Sequence, residues 1–188
     1  MPEMGDNLLK IFTVLACLAV PFAPGQQNTD SHPPFKEMTP KAGSAQVQSY
    51  DAIRATLPER TSVPLRLPIF IPPYADEKNA IFAILESVSS RGYKIQLAWA
   101  KDCMGGNWCH LGEISGSADP LPREGRRIPV ALGLGIQGYF VDFTCGAHCD
   151  DSAIYWNERG YYYSVAMKAE RKETLVKMVH SAIASVRK

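Results

Sequence analysis

The side chains best suited to bind a metal or to react are two cysteine pairs, each with a histidine beside it. They are Cys103, Cys109 and His110 in one segment, and Cys145, His148 and Cys149 in a second. Thiolate and imidazole groups bind zinc, whereas thiols in an oxidising compartment form disulfides. Which chemistry applies depends on the location of the chain and on the spacing within each pair.

The number of cysteines favours disulfides. One of the five, Cys17, lies in a leader segment, so an even number remains in the rest of the chain. Each remaining pair brackets one loop between predicted strands. The pairing Cys103–Cys109 and Cys145–Cys149 is therefore favoured among the three that four cysteines allow. Rings this short stabilise a fold by about 2 kcal/mol each and fix the shape of their loops.

Zinc binding is an alternative for the same segments. Its ligands would come from all six side chains, namely Cys103, Cys109, Cys145, Cys149, His110 and His148. The spacings are C-x5-C and C-x3-C, whereas zinc knuckles use C-x2-C. Neither pair has the C-x-x-C spacing of a thioredoxin-type centre. We therefore predict no metal and no cofactor, and keep zinc as the alternative.

A secreted hydrolase acting through residues 101–110 and 144–152 is a second alternative. It requires the two loops to converge on one cleft, with His110 or His148 within hydrogen-bond reach of a carboxylate. Ser152 lies close to His148 in sequence, but neighbours on one loop rarely form a working triad. No catalytic residue is predicted.

Aromatic side chains are the candidates for a binding surface. Alternation along a strand sends Tyr162 to the face opposite its neighbours Tyr161 and Tyr163. One set is expected in the core, and the other would form an exposed aromatic strip, as carbohydrate- and peptide-binding surfaces do. The candidate binding residues are Trp108, Phe140 and Tyr162.

Residues 1–25 have the pattern of a signal peptide. Lys10 precedes a nearly uninterrupted apolar run from Ile11 to Ala23. That run suits a signal h-region, whereas a membrane span needs about 20 residues. Cys17 is a candidate lipidation site, although the residues after it stay apolar, unlike those of a lipoprotein. Export is therefore predicted, with a lipid anchor at Cys17 as the less favoured variant.

The composition divides the rest of the chain. Residues 26–62 are polar and rich in proline and predict a tether, with a short helix between Ala45 and Leu57. The folded domain is predicted from Val63 to Lys188. The formal net charge of +1 gives no reason to expect nucleic acid. Membrane contact is expected only through the signal segment or a lipid anchor.

The pattern after Val63 predicts strands framed by helices. Alternation predicts that Val63 to Ile71 is extended, and its prolines make it either an edge strand or an extended segment laid along an edge strand. Apolar spacing predicts helices over Asp76–Arg91 and Arg171–Val186. Two hairpin turns are predicted between them, at residues 135–138 and 157–160. The predicted class is α+β: an antiparallel sheet of about six strands, with the C-terminal helix and one further helix packed on one face.

The C-terminal third resembles uncharacterised bacterial exported proteins. The pattern runs from Gly138-Tyr139-Phe140 through C-G-A-x-C at residues 145–149 and W-x3-G-x2-Y at residues 156–163 to the last helix. The W-x3-G-x2-Y core is also similar to a domain of unknown function in anti-sigma-associated and sporulation-linked membrane proteins. The resemblance implies a hairpin with a docked helix and assigns no functional residue.

These observations predict a periplasmic or extracellular domain that binds a partner or associates with the cell envelope and has no catalytic activity. The expected partner is a protein, peptide or glycan of the envelope. Nucleic acid is not expected.

Overall fold

An eight-stranded sheet forms the frame of the fold. The computed structural model describes residues 47–73, 80–122 and 125–185, all within the unit Glu37–Lys188. The strands are β1 (Val47–Gln48), β2 (Ile81–Ser89), β3 (Gly92–Ala98), β4 (His110–Ser117), β5 (Arg127–Ala131), β6 (Gln137–Val141), β7 (Asp151–Glu158) and β8 (Tyr161–Lys168). The helices are α1 (Tyr50–Thr56), which continues into a 3₁₀ turn at Leu57–Glu59, and α2 (Lys172–Ala184).

The strand order is β1-β2-β3-β4-β8-β7-β6-β5. The short β1 runs parallel to β2, and the other neighbours are antiparallel. The central contact joins β4 to β8, which are distant in sequence. Two groups of consecutive antiparallel strands, β2–β3–β4 and β5–β6–β7–β8, therefore meet along one line in the middle of the sheet. We call them the two hairpin groups.

One face of the sheet forms the core because apolar side chains alternate along its central strands. Ile95 and Leu97 on β3, and Val165 and Met167 on β8, are fully buried. Between them β4 carries Gly112, where a Cβ atom would lie 2.6 Å from the sulfur of Met167. The glycine lets the large β8 side chain lie flat across its neighbour.

Helix α2 and the extended segment 63–73 cover this face. The helix contributes Met178 and Val179 to the core, both fully buried. The backbone N–H of Phe70 donates to Oγ of Ser181 at 3.0 Å, so the segment lies against the helix. The backbone N–H of Arg66 donates to the hydroxyl of Tyr93 on β3 at 3.0 Å, so the same segment also contacts the sheet.

The helix predicted over Asp76–Arg91 is wrong for its described part, because residues 81–89 form β2. The apolar spacing resembled that of a helix because β2 contains a β-bulge between Leu85 and Ser87. Leu85 pairs with Ile95 and Val88 pairs with Tyr93, so both face the core although three positions separate them. The bulge residue reproduces the i, i+3 spacing of a helix, and pairing with β3 determines the structure.

The edge strand predicted as one form of Val63–Ile71 is also wrong, since within the described residues this segment joins no strand ladder. It is extended, and Val63, Leu67 and Ile71 are buried in the core. The intervening prolines lack N–H donors and do not support a ladder. The segment lies across the sheet face instead of along its edge.

The remaining fold predictions are partly confirmed. A mostly antiparallel sheet with two helices agrees with the α+β class, but the sheet is mixed and has eight strands instead of about six. The final helix and both hairpins are present. The core also includes Tyr50, Ile53 and Leu57, upstream of the predicted domain start. The signal segment, Cys17 and most of the predicted tether lie outside the described residues.

A buried ion pair fastens segment 63–73 to the sheet. Arg66 is 4% exposed, and its Nε and Nη2 donate to the two carboxylate oxygens of Glu158 at 2.8 and 2.7 Å. The guanidinium carbon lies 5.5 Å from the ring centroid of Tyr163, which stacks on Trp156. Hydrogen bonds from Arg66 hold the pKa of Glu158 below its ordinary value, against the effect of partial burial.

Replacing Glu158 with glutamine leaves the buried guanidinium without its counter-charge. We expect Glu158→Gln to lower the free energy of unfolding by about 3 kcal/mol in urea denaturation at pH 7. Because the folded-state pKa of Glu158 is lowered, its contribution is present above about pH 4.5 and lost as the pH falls through the folded-state pKa. The difference in free energy of unfolding between wild type and Glu158→Gln should therefore become smaller as the pH is lowered.

Asp119→Asn, in the exposed Arg91–Asp119 pair, is the matched control and should leave the urea midpoint unchanged. The double variant Arg66→Met/Glu158→Leu should recover much of the lost stability, because it leaves no unpaired charge. An unchanged midpoint for Glu158→Gln would contradict the role assigned to this pair.

Candidate functional site

The loop between β3 and β4 is closed by a buried disulfide. Cys103 and Cys109 are bonded, are 4% and 1% exposed, and pack against Ala98. The pairing is the one that the sequence favours. The closed loop holds Met104 and Trp108 at the surface, 98% and 78% exposed. Trp108 is one of the binding residues predicted from the sequence, and its exposure is compatible with that role.

The second disulfide, Cys145–Cys149, closes the loop that precedes β7. It lies at the surface: Cys145 is exposed and Cys149 is half-buried. At the base of the loop the N–H of Asp150 donates to the carbonyl of Thr144 at 3.0 Å. The hydroxyl of Thr144 donates to Oδ2 of Asp150 at 2.8 Å. The loop ends are therefore joined by hydrogen bonds as well as by sulfur.

The alternative zinc site is not formed in this structure. All four sulfurs that would serve as thiolate ligands are bonded in the two disulfides. His110 contacts a carboxylate, and His148 lies exposed on the second loop. No group of three or more His, Cys, Asp or Glu side chains within the described ranges is arranged to hold a metal.

The two loops of the hydrolase alternative do meet, through His110 and Asp151. Nε2 of His110 lies 2.8 Å from Oδ2 of Asp151, across the end of β8. On its other side, Nδ1 lies 3.4 Å from Nε2 of Gln96. Lys168 donates from Nζ to the carbonyl of Asn107 at 2.6 Å, which ties the first loop to β8 beside the histidine.

This arrangement positions the loop and offers little for catalysis. A general base needs a ring nitrogen that can reach substrate, and both nitrogens of His110 face protein groups. The hydroxyl of Ser152 is fully buried and donates to backbone carbonyls of Met167 and Glu170. The disulfides leave no thiol nucleophile at the two loops. The contact therefore acts as a clamp between the disulfide loop and β7.

The face of the sheet opposite the core carries a groove. Lys94, Ser115, Ser164 and Tyr155 are direct cross-strand neighbours in one row over β3, β4, β8 and β7. Adjacent strands lie about 4.8 Å apart, so the row spans about 14 Å. Two small serines lie between a long lysine and a tyrosine, which leaves a depression. The groove has a volume of about 570 Å³.

The charges in the groove balance. Arg91 and Asp119 form an exposed ion pair at one wall. Nζ of Lys94 lies 2.8 Å from a carboxylate oxygen of Glu113 and 3.4 Å from one of Glu86. These hydrogen bonds and charges raise the pKa of Lys94. The other polar side chains in the lining are two tyrosines, Tyr93 and Tyr155, and five serines: Ser87, Ser89, Ser115, Ser117 and Ser164.

None of the three predicted binding residues, Trp108, Phe140 and Tyr162, is among the residues that line the groove. Tyr162 is half-buried and pairs with Ser117 on the groove face. Phe140 is 4% exposed and belongs to the core, so its selection as a surface residue is wrong. Sequence analysis missed the groove row. The sequence pattern that could have indicated the row is the alternation of polar Lys94 and Gln96 with apolar residues on β3. Placing β3 in the same row as β8 also requires the register between strands that are distant in sequence.

No protein-family model, curated protein or solved structure matches this chain. The resemblance to bacterial exported proteins therefore stays a prediction. The two disulfides indicate an oxidising, non-cytoplasmic location. Among the described residues no helix has the length and apolar character needed to cross a membrane.

The clamp between His110 and Asp151 predicts a pH-dependent stability. The hydrogen bond to Asp151 raises the pKa of His110, against the effect of its partial burial. Because the folded-state pKa is raised, the protonated pair stabilises the fold below about pH 6.5, and this stabilisation is lost as the pH rises through the folded-state pKa. Asp151→Asn should return the pKa of His110 toward its ordinary value, as followed by NMR titration.

Asp150→Asn is the matched control, because it alters the neighbouring carboxylate without touching the histidine. It should leave the pKa of His110 raised. A pKa of His110 that is equal in wild type and Asp151→Asn would show that the clamp is absent in solution.

Proposed function

We propose that this chain is an exported, non-catalytic binding module whose groove takes a neutral, polyhydroxylated ligand such as an envelope or environmental glycan. The groove lining carries the proposal. It combines five serine hydroxyls with two aromatic rings, Tyr155 and the more deeply buried Tyr93, and its cations are balanced by carboxylates. Sugars offer hydroxyls for hydrogen bonding and C–H faces that pack on aromatic rings.

The balance of charge argues against an ionic ligand. Lys94 is shared between Glu86 and Glu113, and Arg91 is paired with Asp119. An anion would have to break one of these pairs, and a cation would face two ammonium or guanidinium groups. A neutral ligand can hydrogen-bond to the pairs without displacing them, since charge-assisted hydrogen bonds are strong at a partly shielded site.

The arrangement of the groove supports binding over chemistry. Its carboxylate Glu113 already accepts hydrogen bonds from Lys94 and from the hydroxyl of Ser115 at 2.6 Å. The one histidine–carboxylate contact described, His110–Asp151, lies at the opposite end of β4 from Ser117. Hydrolysis of a bound oligosaccharide would favour the alternative of a secreted hydrolase.

Oligosaccharide binding tests the proposal directly. The mature protein is titrated calorimetrically with neutral gluco-, manno- and N-acetylglucosamine oligomers, and with sulfated and uronic acid oligomers as charged comparisons. Binding of a neutral oligomer is expected. Tyr155→Ala should weaken it about fivefold, because aromatic packing contributes on the order of 1 kcal/mol. Ser164→Leu should fill the depression and block binding.

Trp108→Ala is the control, since this exposed aromatic lies outside the groove lining. It should bind as the wild type does. If Trp108→Ala alone abolished binding, the site would belong to the disulfide loop. If only charged oligomers bound, the argument from charge balance would fail.

Export is the second part of the proposal, and the oxidised cysteines support it. Expression of the full chain in a secreting bacterial host, followed by intact-mass analysis, should find a mature N-terminus near Gln26. A mass that retains Met1 in the exported fraction would contradict cleavage. A lipid adduct at Cys17 would instead favour the anchored variant.

A further inference from the structure

The two disulfides differ in their access to other thiols. Thiol–disulfide exchange requires a thiolate to reach one sulfur of the bond. Cys103 and Cys109 are 4% and 1% exposed and lie under the loop against Ala98. Cys145 is exposed and Cys149 is half-buried on a projecting loop. Only the second disulfide offers an open line of approach.

The loop around Cys145–Cys149 has contacts that do not depend on the sulfur bond. Thr144 and Asp150 are joined by the two hydrogen bonds at its base. Inside the loop, the N–H of Gly146 donates to the carbonyl of His148 at 2.9 Å. These contacts keep the ends of the loop together after reduction, so the two thiols stay close enough to re-form the bond.

The surroundings of the two disulfides also differ. Gly146, Ala147 and His148, the residues between Cys145 and Cys149, are all exposed, so the loop does not shield its own bond. The segments around the first disulfide differ: Nε2 of Gln96 contacts Sγ of Cys103 at 3.3 Å, in a buried setting. The first bond is enclosed by its own loop, and the second faces solvent.

We propose that Cys145–Cys149 is a site of reversible thiol–disulfide exchange with an external dithiol, such as the reduced form of a disulfide oxidoreductase, and that Cys103–Cys109 is a fixed structural bond. A thiolate of the dithiol attacks Sγ of Cys145, the more exposed of the two cysteine residues. The sulfur–sulfur bond breaks, Cys149 leaves as a thiolate, and a mixed disulfide forms. The second thiolate of the dithiol then attacks the dithiol sulfur of the mixed disulfide, which closes the disulfide of the dithiol and releases Cys145 as a thiolate. The dithiol is oxidised by two electrons, and Cys145 and Cys149 gain two electrons and two protons.

Timed reduction of the native, folded protein tests the proposal. Dithiothreitol is added at pH 7.5 without denaturant, samples are quenched with iodoacetamide, and peptides are mapped by mass spectrometry. Alkylation should appear at Cys145 and Cys149 at least about tenfold faster than at Cys103 and Cys109. Equal rates for both pairs, or faster labelling of the first pair, would overturn the proposal.

A serine variant tests whether the exposed bond is needed for the fold. Cys145→Ser/Cys149→Ser should retain the wild-type circular dichroism spectrum and a cooperative urea transition. Cys103→Ser/Cys109→Ser should lose cooperativity or shift its midpoint to much lower urea. Loss of the folded state in the first variant would assign the exposed bond a structural role and refute reversible exchange.

Reversibility is measured on the wild type. After removal of dithiothreitol, the selectively reduced protein is exposed to oxidised glutathione. The Cys145–Cys149 bond should return, and Cys149→Ser should accumulate a glutathione adduct at Cys145. Failure to re-form the bond would also overturn the proposal. These readouts do not involve the groove, so they stand or fall independently of glycan binding.

Discussion

The buried pairing of Arg66 with Glu158 is the constraint on which the covered face depends. Segment 63–73 lies outside the eight strands, and hydrogen bonds to side chains together with this ion pair hold it against the sheet and helix α2. A charge is stable in such a place only when its partner and its remaining donors are satisfied. Arg66 meets this condition through Glu158 and through the carbonyl of Leu65. Tyr163 lies beneath the guanidinium, and burial raises its pKa to about 12, which keeps the phenol neutral.

The fold could be predicted where local pattern and tertiary pairing agree. Two hairpins, the final helix and the disulfide pairing follow from alternation, turn residues and cysteine spacing. The prediction failed at β2, where a bulge imitated helical spacing, and at segment 63–73, where proline-separated apolar residues imitated a strand. Both errors have one cause: period alone does not show which partner an element will find. Arg66 gave no local signal because its partner lies 92 residues away.

The sheet face that carries the groove shows that prediction of the candidate site from sequence is limited in the same way. The cysteine loops could be located from sequence, and their meeting through His110 and Asp151 fulfils a condition that the sequence could state without testing. The groove could not be found, because its row of side chains comes from four strands aligned by register. Phe140 and Tyr139 illustrate the difference: they are neighbours in sequence, but Phe140 is in the core and Tyr139 is 39% exposed on the other face. Alternation separates two faces without showing which is covered.

The central pairing of β4 with β8 has a consequence for the order of folding. The β4–β8 ladder is the strand pairing that joins the two groups, and the charge of Arg66 is matched only after Glu158 of the second group is in place. Chains dominated by such distant contacts fold slowly compared with those held by local ones. Closure of the core is therefore expected to be slow, because it depends on contacts between segments that are distant in sequence. Under the export that we propose, slow closure of the core would leave the chain unfolded while it crosses a membrane and would place disulfide formation on the far side.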